Sequence, residues 1–216
     1  MDYAAARHAM VESQIRTNRV TYPGLIAALE AIPRELFVPA RLRGIAYVDE
    51  ALPLGDGRYL MEPLAFALLA QMAEIGPKDV VLDIGCATGY SAAVLAKLAG
   101  TVVAVEEQPD FVREANRLLP ELTADNTAVI EGRLVEGCPR QGPYDAIVIE
   151  GGVEEIPDAI IEQLGPSGRL ACIVSGSGMG KGTLVTRYGS TINRRVVFDA
   201  GTPLLPGFER RPTFAF

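Results

Sequence analysis

Only one histidine, His8, stands in the 216 residues of the chain. Catalytic triads and zinc sites that draw on several histidines are nearly excluded on that ground. Cysteine is scarce too: Cys86, Cys138 and Cys172 are far apart and odd in number. That pattern suggests reduced thiols and no disulfide framework. No apolar run approaches the ~20 residues a membrane span needs. The opening M-D-Y-A-A-A-R-H-A-M lacks a basic start followed by an apolar core, so no signal peptide is expected. These absences predict a cytoplasmic protein without a membrane partner. Positive charge is also short, with a formal net charge of -7. This argues against a general grip on nucleic acid phosphates or anionic membrane, and no nucleic-acid partner is expected. There is no internal repeat, no low-complexity tract and no convincing linker. What remains is a 49% hydrophobic composition, enough for a substantial core. The length suits one α/β domain with a small addition.

The first 50 residues read as a helical extension, punctuated by Pro23, Pro33 and Pro39. Within them T-Y-P-G-L-I-A-A-L-E-A-I has helical spacing, with Thr21 as a candidate N-cap. From residue 79 to the end the texture alternates. D-V-V-L-D-I-G is a short buried strand, Y-S-A-A-V-L-A-K-L-A a helix and T-V-V-A-V-E a strand. P-D-F-V-R-E-A-N-R-L-L is a helix with Pro109 suited to its first turn. T-A-V-I-E and Y-D-A-I-V-I-E are strands, I-P-D-A-I-I-E-Q-L a helix and G-R-L-A-C-I-V a strand. Strands rich in Val and Ile without alternation imply a sheet covered on both faces. Alternating β and α elements imply mainly parallel pairing. T-L-V-T-R-Y and N-R-R-V-V-F-D, separated by G-S-T, read as a C-terminal antiparallel hairpin. S-G-S-G-M-G-K-G, residues 175–182, reads as a turn between strands. The whole chain is expected to form one α/β domain, with its core in residues 79–216.

The stretch V-V-L-D-I-G-C-A-T-G-Y-S-A-A carries the most chemistry. A buried strand ends at Asp83 and Ile84, a Gly-containing turn follows, and a helix begins. Backbone N–H groups and the helix dipole then face a crevice beyond the strand end. The next strand ends in Glu106, about 20 residues downstream, where an acidic residue can accept both hydroxyls of a ribose. The turn is not G-x-G-x-x-G, and no G-K-[ST] follows it. A βαβ turn whose glycines merely allow close packing would look similar, and a nicotinamide-binding turn is disfavoured by the spacing.

The form D-x-G-x-x-x-G followed by Tyr resembles the motif of S-adenosylmethionine-dependent methyltransferases. Further blocks narrow the resemblance: M-V-E-S-Q-I-R, I-P-R-E-L-F-V-P, A-Y-V-D-E-A-L-P-L-G-D-G, and P-Y-D-A-I-V-I-E-G-G-V-E-E-I-P-D-A-I-I-E-Q-L-G-P-S-G-R-L. Together they are similar to the protein-L-isoaspartate (D-aspartate) O-methyltransferase family along nearly the whole chain. The resemblance implies a Rossmann-like class I fold: a mostly parallel sheet with helices on both faces. It implies S-adenosyl-L-methionine as cofactor and isoaspartyl-containing proteins or peptides as substrate. It also implies methyl transfer to the free isoaspartyl carboxylate, a first step in protein repair. By the same resemblance Asp83, Gly85, Cys86, Ala87, Gly89, Tyr90, Glu106, Glu107, Arg133 and Leu134 would line the cofactor. Tyr59, Met61 and Glu62 would stand at the acceptor. A carboxylate is already ionised at pH 7, so this reaction needs no general base. Catalysis is mostly positioning in a dry pocket.

Several positions depart from the family. The stretch G-R-Y-L-M-E-P stands where the family reads G-Q-T-I-S-Q-P or close to it. Met61 thus replaces a hydroxyl that orients the acceptor, and a thioether donates nothing. One lost hydrogen bond to a charged group costs roughly 1.5–3 kcal/mol. Glu62 replaces an amide, and a second carboxylate at ~6 Å opposes the acceptor by ~3 kcal/mol at an effective dielectric of ~20. Ala87 stands where the family has Gly, so its Cβ would crowd a ligand or demand another backbone conformation. Arg133 stands where an Asp meets the adenine amine; it cannot accept that bond, but its plane could stack on the base. These changes raise an alternative: an altered acceptor, or a silent relative that works by binding. Blander roles are open for each. Met61 could fill a core gap, and Glu62 could favour a helix N-terminus. A hydroxyl from Tyr59, Thr88 or Ser91 aimed at the methyl position would restore a donor.

Overall fold

The computed structural model describes residues 1–176 and 178–210. Helices α1 (Tyr3–Met10) and α2 (Pro23–Ala31) open the chain. A hairpin of β1 (Leu52–Gly55) and β2 (Arg58–Leu60) follows, then α3 (Pro63–Met72). The alternating part runs β3 (Val80–Ile84), α4 (Tyr90–Ala96), β4 (Thr101–Glu106), α5 (Pro109–Glu121) and β5 (Thr127–Glu131). It continues with β6 (Tyr144–Val153), α6 (Asp158–Ile161), β7 (Leu164–Val174), β8 (Gly180–Tyr188) and β9 (Thr191–Ala200).

Seven strands form one sheet in the order β5-β4-β3-β6-β7-β8-β9. Pairing is parallel from β5 to β7 and antiparallel for β7–β8 and β8–β9. β1 and β2 make a separate two-stranded sheet. Successive residues of each strand serve opposite faces. Val81, Val102, Ala104, Ala146 and Val148 belong to one apolar cluster with α3, α4 and the N-terminal segment. Leu82, Ile84, Val103, Val105, Ile147 and Ile149 belong to another, closed by α6, Leu134, Leu205 and Phe208. Both faces are buried, which is why these strands read as unbroken Val/Ile runs. Chain connection reverses direction between β3 and β6, the place where open α/β sheets put a ligand crevice beyond the carboxyl ends of the strands. No described helix is long and apolar enough to cross a membrane.

Local structure differs from expectation in places. The N-terminal segment continues past α1 as a π-helical turn (Val11–Ile15) and a 3-10 turn (Arg16–Asn18), and two more 3-10 turns follow α2. Pro33 and Pro39 interrupt the helical spacing, because proline lacks the N–H a longer helix needs. Thr21 does not cap α2. The cap position is Tyr22, without a side-chain bond of its own. Instead Gln71 of α3 accepts from the N–H groups of Thr21 and Tyr22 at 2.6 and 3.1 Å. Helix α6 is four residues long, because the chain must reach the pairing of Leu164 with Tyr144. In the 175–182 segment Ser177 lies outside the described residues, and β8 already begins at Gly180.

Candidate active site

Asp83 pairs with Ala104 on β4 and with Val148 on β6. Glu106 and Glu150 lie two residues beyond those partners, so all three carboxyls share one face at the ends of adjacent strands. All three are buried. Ser91 Oγ donates to Asp83 Oδ2 at 2.7 Å. Asp83 Oδ1 and Glu150 Oε1 have no hydrogen-bond partner among the described groups. Burial pushes the Asp83 carboxyl up to about 7; the Ser91 bond opposes the rise, Glu106 adds to it and Arg58 opposes it. Burial, and then Asp83, push Glu150 well above the carboxylate range.

Glu106 accepts four hydrogen bonds. Its Oε1 accepts from Arg58 Nη1 at 2.5 Å and from the N–H groups of Glu107 and Gln108 at 2.8 and 2.9 Å. Its Oε2 accepts from the Ala87 N–H at 2.8 Å. The second arm of Arg58, Nη2, donates to the Gly85 carbonyl oxygen at 2.9 Å. The turn itself is left-handed at Gly85, Ala87 and Gly89, with φ of 84°, 48° and 97°. A Cβ on Gly85 would lie 3.2 Å from both Arg58 Nη2 and Leu205 Cδ2. A Cβ on Gly89 would lie 3.1 Å from Ala115 Cβ, so this glycine serves the packing of α4 against α5. The segment after β9 lies over the end of β6. Gly152 N–H donates to Pro203 O and Leu205 N–H to Gly152 O, both at 2.8 Å. The space enclosed by Arg58, Tyr59, Met61, Glu150 and Leu205 is about 10 Å³. Beside it a cleft of about 490 Å³ opens between Asp49, Glu50, Glu62, Asp199 and the apolar Leu64, Leu68 and Phe198.

The family profile described as Protein-L-isoaspartate(D-aspartate) O-methyltransferase matches residues 5–194. The chain belongs to that family. A protein-L-isoaspartate O-methyltransferase of Methanoculleus marisnigri is 42% identical over 168 residues, 78% of this chain and 76% of the relative. One from Roseiflexus castenholzii is 34% identical over 96% of this chain and 95% of its own. A solved protein-L-isoaspartate O-methyltransferase superposes with a TM-score of 0.80 at 25% identity, over 93% of this chain and 66% of that one. A Plasmodium falciparum structure in complex with S-adenosyl-L-homocysteine has the same fold, with a TM-score of 0.78 at 18% identity, over 92% of this chain and 97% of that one.

The isoaspartyl methyltransferase positions fall into three groups. Asp83, Gly85, Ala87 and Glu106 meet at the crevice, as the registers and bonds above require. Cys86 is buried in the turn, and desolvation raises its thiol well above the ordinary range; it is held as a thiol, not a nucleophilic thiolate. Tyr90 turns into the core, its ring 5.5 Å from Phe37 and 5.8 Å from Phe66, under the Arg34 guanidinium at 4.9 Å. Leu134 is buried in the second apolar cluster. Glu107 is exposed and offers the crevice only its backbone N–H. Arg133 points outward and pairs with Glu136 at 2.8 Å, its side chain 64% exposed.

Of the residues expected at the acceptor, Met61 is buried, and its carbonyl oxygen accepts from Arg34 Nη2 at 2.5 Å. Glu62 occupies the cap position of α3, but Asp49 supplies the bond to the Leu64 N–H, at 3.1 Å. Glu62 Oε2 accepts from Thr202 Oγ1 at 2.9 Å, and burial raises its pKa. Ser91 donates to Asp83, and Thr88 donates to the Phe37 carbonyl oxygen at 2.7 Å. Neither hydroxyl is free to replace the missing donor, and Tyr59 is 38% exposed. Arg58, Arg34, Glu150 and Leu205 escaped the sequence reading. Glu150 was within reach: a charged residue ending an apolar strand is the signal that singled out Glu106.

Proposed function

We propose that the chain is an S-adenosylmethionine-dependent methyltransferase that esterifies the free carboxylate of isoaspartyl residues in proteins. Membership of the family across residues 5–194 carries this reading. When bound, S-adenosylmethionine would supply an activated methyl group on a cationic sulfur. The residue types suit a nucleoside with a cationic tail. Asp83 and Glu150 each present an unpartnered oxygen able to accept from an ammonium group. Glu106 stands where a carboxylate accepts ribose hydroxyls in such folds, although here it holds Arg58. The Gly85 turn lets backbone approach closely.

The acceptor carboxylate arrives ionised, so no side chain has to remove a proton. The chain's work is to hold the acceptor in line and to exclude water. Leu60, Met61 and Leu205 are buried apolar walls around that region. Met61 donates nothing. Arg34, fully buried beneath it, interacts favourably with Glu62, which offsets part of the repulsion Glu62 would exert on an incoming carboxylate. The test is incubation with methyl-labelled cofactor and paired peptides containing isoaspartate or aspartate. Base-labile methyl ester is expected on the isoaspartyl peptide alone. Absence of ester from a protein that binds the cofactor would sink the acceptor assignment.

A further inference from the structure

Three carboxyls at the strand ends meet one cation of the chain's own, Arg58, on the carboxylate a ribose would use. Glu106 accepts four hydrogen bonds, from Arg58 and from three backbone N–H groups. Three of the four fall on Oε1, which has two lone pairs, so that oxygen has no site for a ligand hydroxyl while Arg58 is bound. Leu205 closes the space from the other side: a Cβ on Gly151 would lie 2.9 Å from its Cβ. The space between Arg58, Glu150 and Leu205 is about 10 Å³, against the ~300–1,000 Å³ of an ordinary ligand pocket. Yet the unpartnered oxygens of Asp83 and Glu150 lie at the same strand ends. The strand ends carry the groups for a cationic nucleoside, but between Arg58, Glu150 and Leu205 there is no room for one.

We propose that Arg58 is an internal stand-in for the cofactor: it holds Glu106 in the unliganded chain and must leave before a nucleoside can bind. This rests on the methyltransferase reading above. The exchange is electrostatically matched, since a cation leaves a buried acidic site and a cationic ligand replaces it. The carrier of Arg58 is suited to move. Among the described residues β2 pairs with β1 alone and not with the main sheet. Its turn, Gly55-Asp56-Gly57, has φ of 118°, 51° and 72°. A few dihedral changes there would withdraw the guanidinium without breaking the seven-stranded sheet.

The experiment is isothermal titration of the full chain with S-adenosylhomocysteine, wild type beside Arg58→Gln. If Arg58 is closed in ~90% of molecules, the apparent affinity of the wild type is lowered ~10-fold. Arg58→Gln is therefore expected to bind at least ~10-fold more tightly. Equal or weaker binding by a cooperatively melting variant, beside measurable binding by the wild type, overturns the proposal and leaves the methyltransferase reading standing. No binding by either protein at millimolar ligand overturns both. If the variant does not fold, hydrogen exchange of the wild type at saturating ligand decides. Amides of residues 52–60 are expected to exchange faster with ligand, and unchanged or slower exchange there overturns the proposal.

Discussion

Ala87 carries backbone strain in the crevice. Its φ of 48° lies in the left-handed region, which costs a residue with a Cβ roughly 1–2 kcal/mol. The strain persists because the Ala87 N–H is bonded to Glu106. Ala87→Gly relieves it but adds freedom to the unfolded chain, worth roughly 0.4–1 kcal/mol in the other direction. The expected net is a stabilisation of about 0.5 kcal/mol, read from the midpoint of urea unfolding at unchanged slope. Sequence reading identified Ala87 as a departure and named two consequences, crowding or an altered backbone. The structure keeps the left-handed backbone and leaves the residue strained. Arg58 is the opposite case. Nothing in G-R-Y-L-M-E-P distinguishes a surface arginine on a hairpin from one that reaches Glu106, 48 positions away.

At the scale of elements, the central strands were legible because a doubly covered strand must be apolar on both faces. The ends of β4 and β5 agree with the runs T-V-V-A-V-E and T-A-V-I-E. By contrast, β6 runs on past Glu150 to Val153 and β7 starts at Leu164, ahead of Gly168, because pairing between the two strands extends beyond their apolar runs. Pro109 opens α5 as its fixed φ suits. Helix α2 was legible as a helix but not in its capping, because its partner Gln71 is distant in sequence. Gln71 also donates to the Arg19 carbonyl oxygen at 3.0 Å, so one amide ties the start of α2 to α3. Gln71→Ala is expected to cost ~1–2 kcal/mol, the scale of a lost N-cap, whereas Thr21→Ala should stay within ~0.5 kcal/mol. Thermal melts of the two variants compare them directly, and the reverse ranking would restore Thr21 as the cap. A short helix such as α6 shows the same limit. Its sequence suits more turns than it makes, but Gln163 is tied back. Its side chain bonds to the Cys138 N–H and the Glu136 and Ala159 carbonyl oxygens.

For the whole molecule, the sheet assembles a buried acidic group that no local stretch contains, and this links global stability to pH. The folded-state pKa of Asp83 lies above its unfolded value of 3.8, at about 7. The folded chain therefore keeps a proton that the unfolded chain releases. Stability from this group is full below pH ~4 and is lost as pH rises toward about 7. Asp83→Asn removes the titration while keeping an oxygen for Ser91 to donate to. The wild type is expected to lose stability relative to Asp83→Asn between pH 4 and 7, and parallel stability curves across that range would exclude the raised pKa. By itself the sequence determined the fold class, the order of its central elements and its family, since periodicity and motif spacing are local properties of the chain. Only the tertiary structure decided that Glu106 is already engaged, that Arg133 faces solvent, and that Glu150 joins Asp83. Those facts depend on which distant residues strand register and hairpin packing bring within hydrogen-bond range.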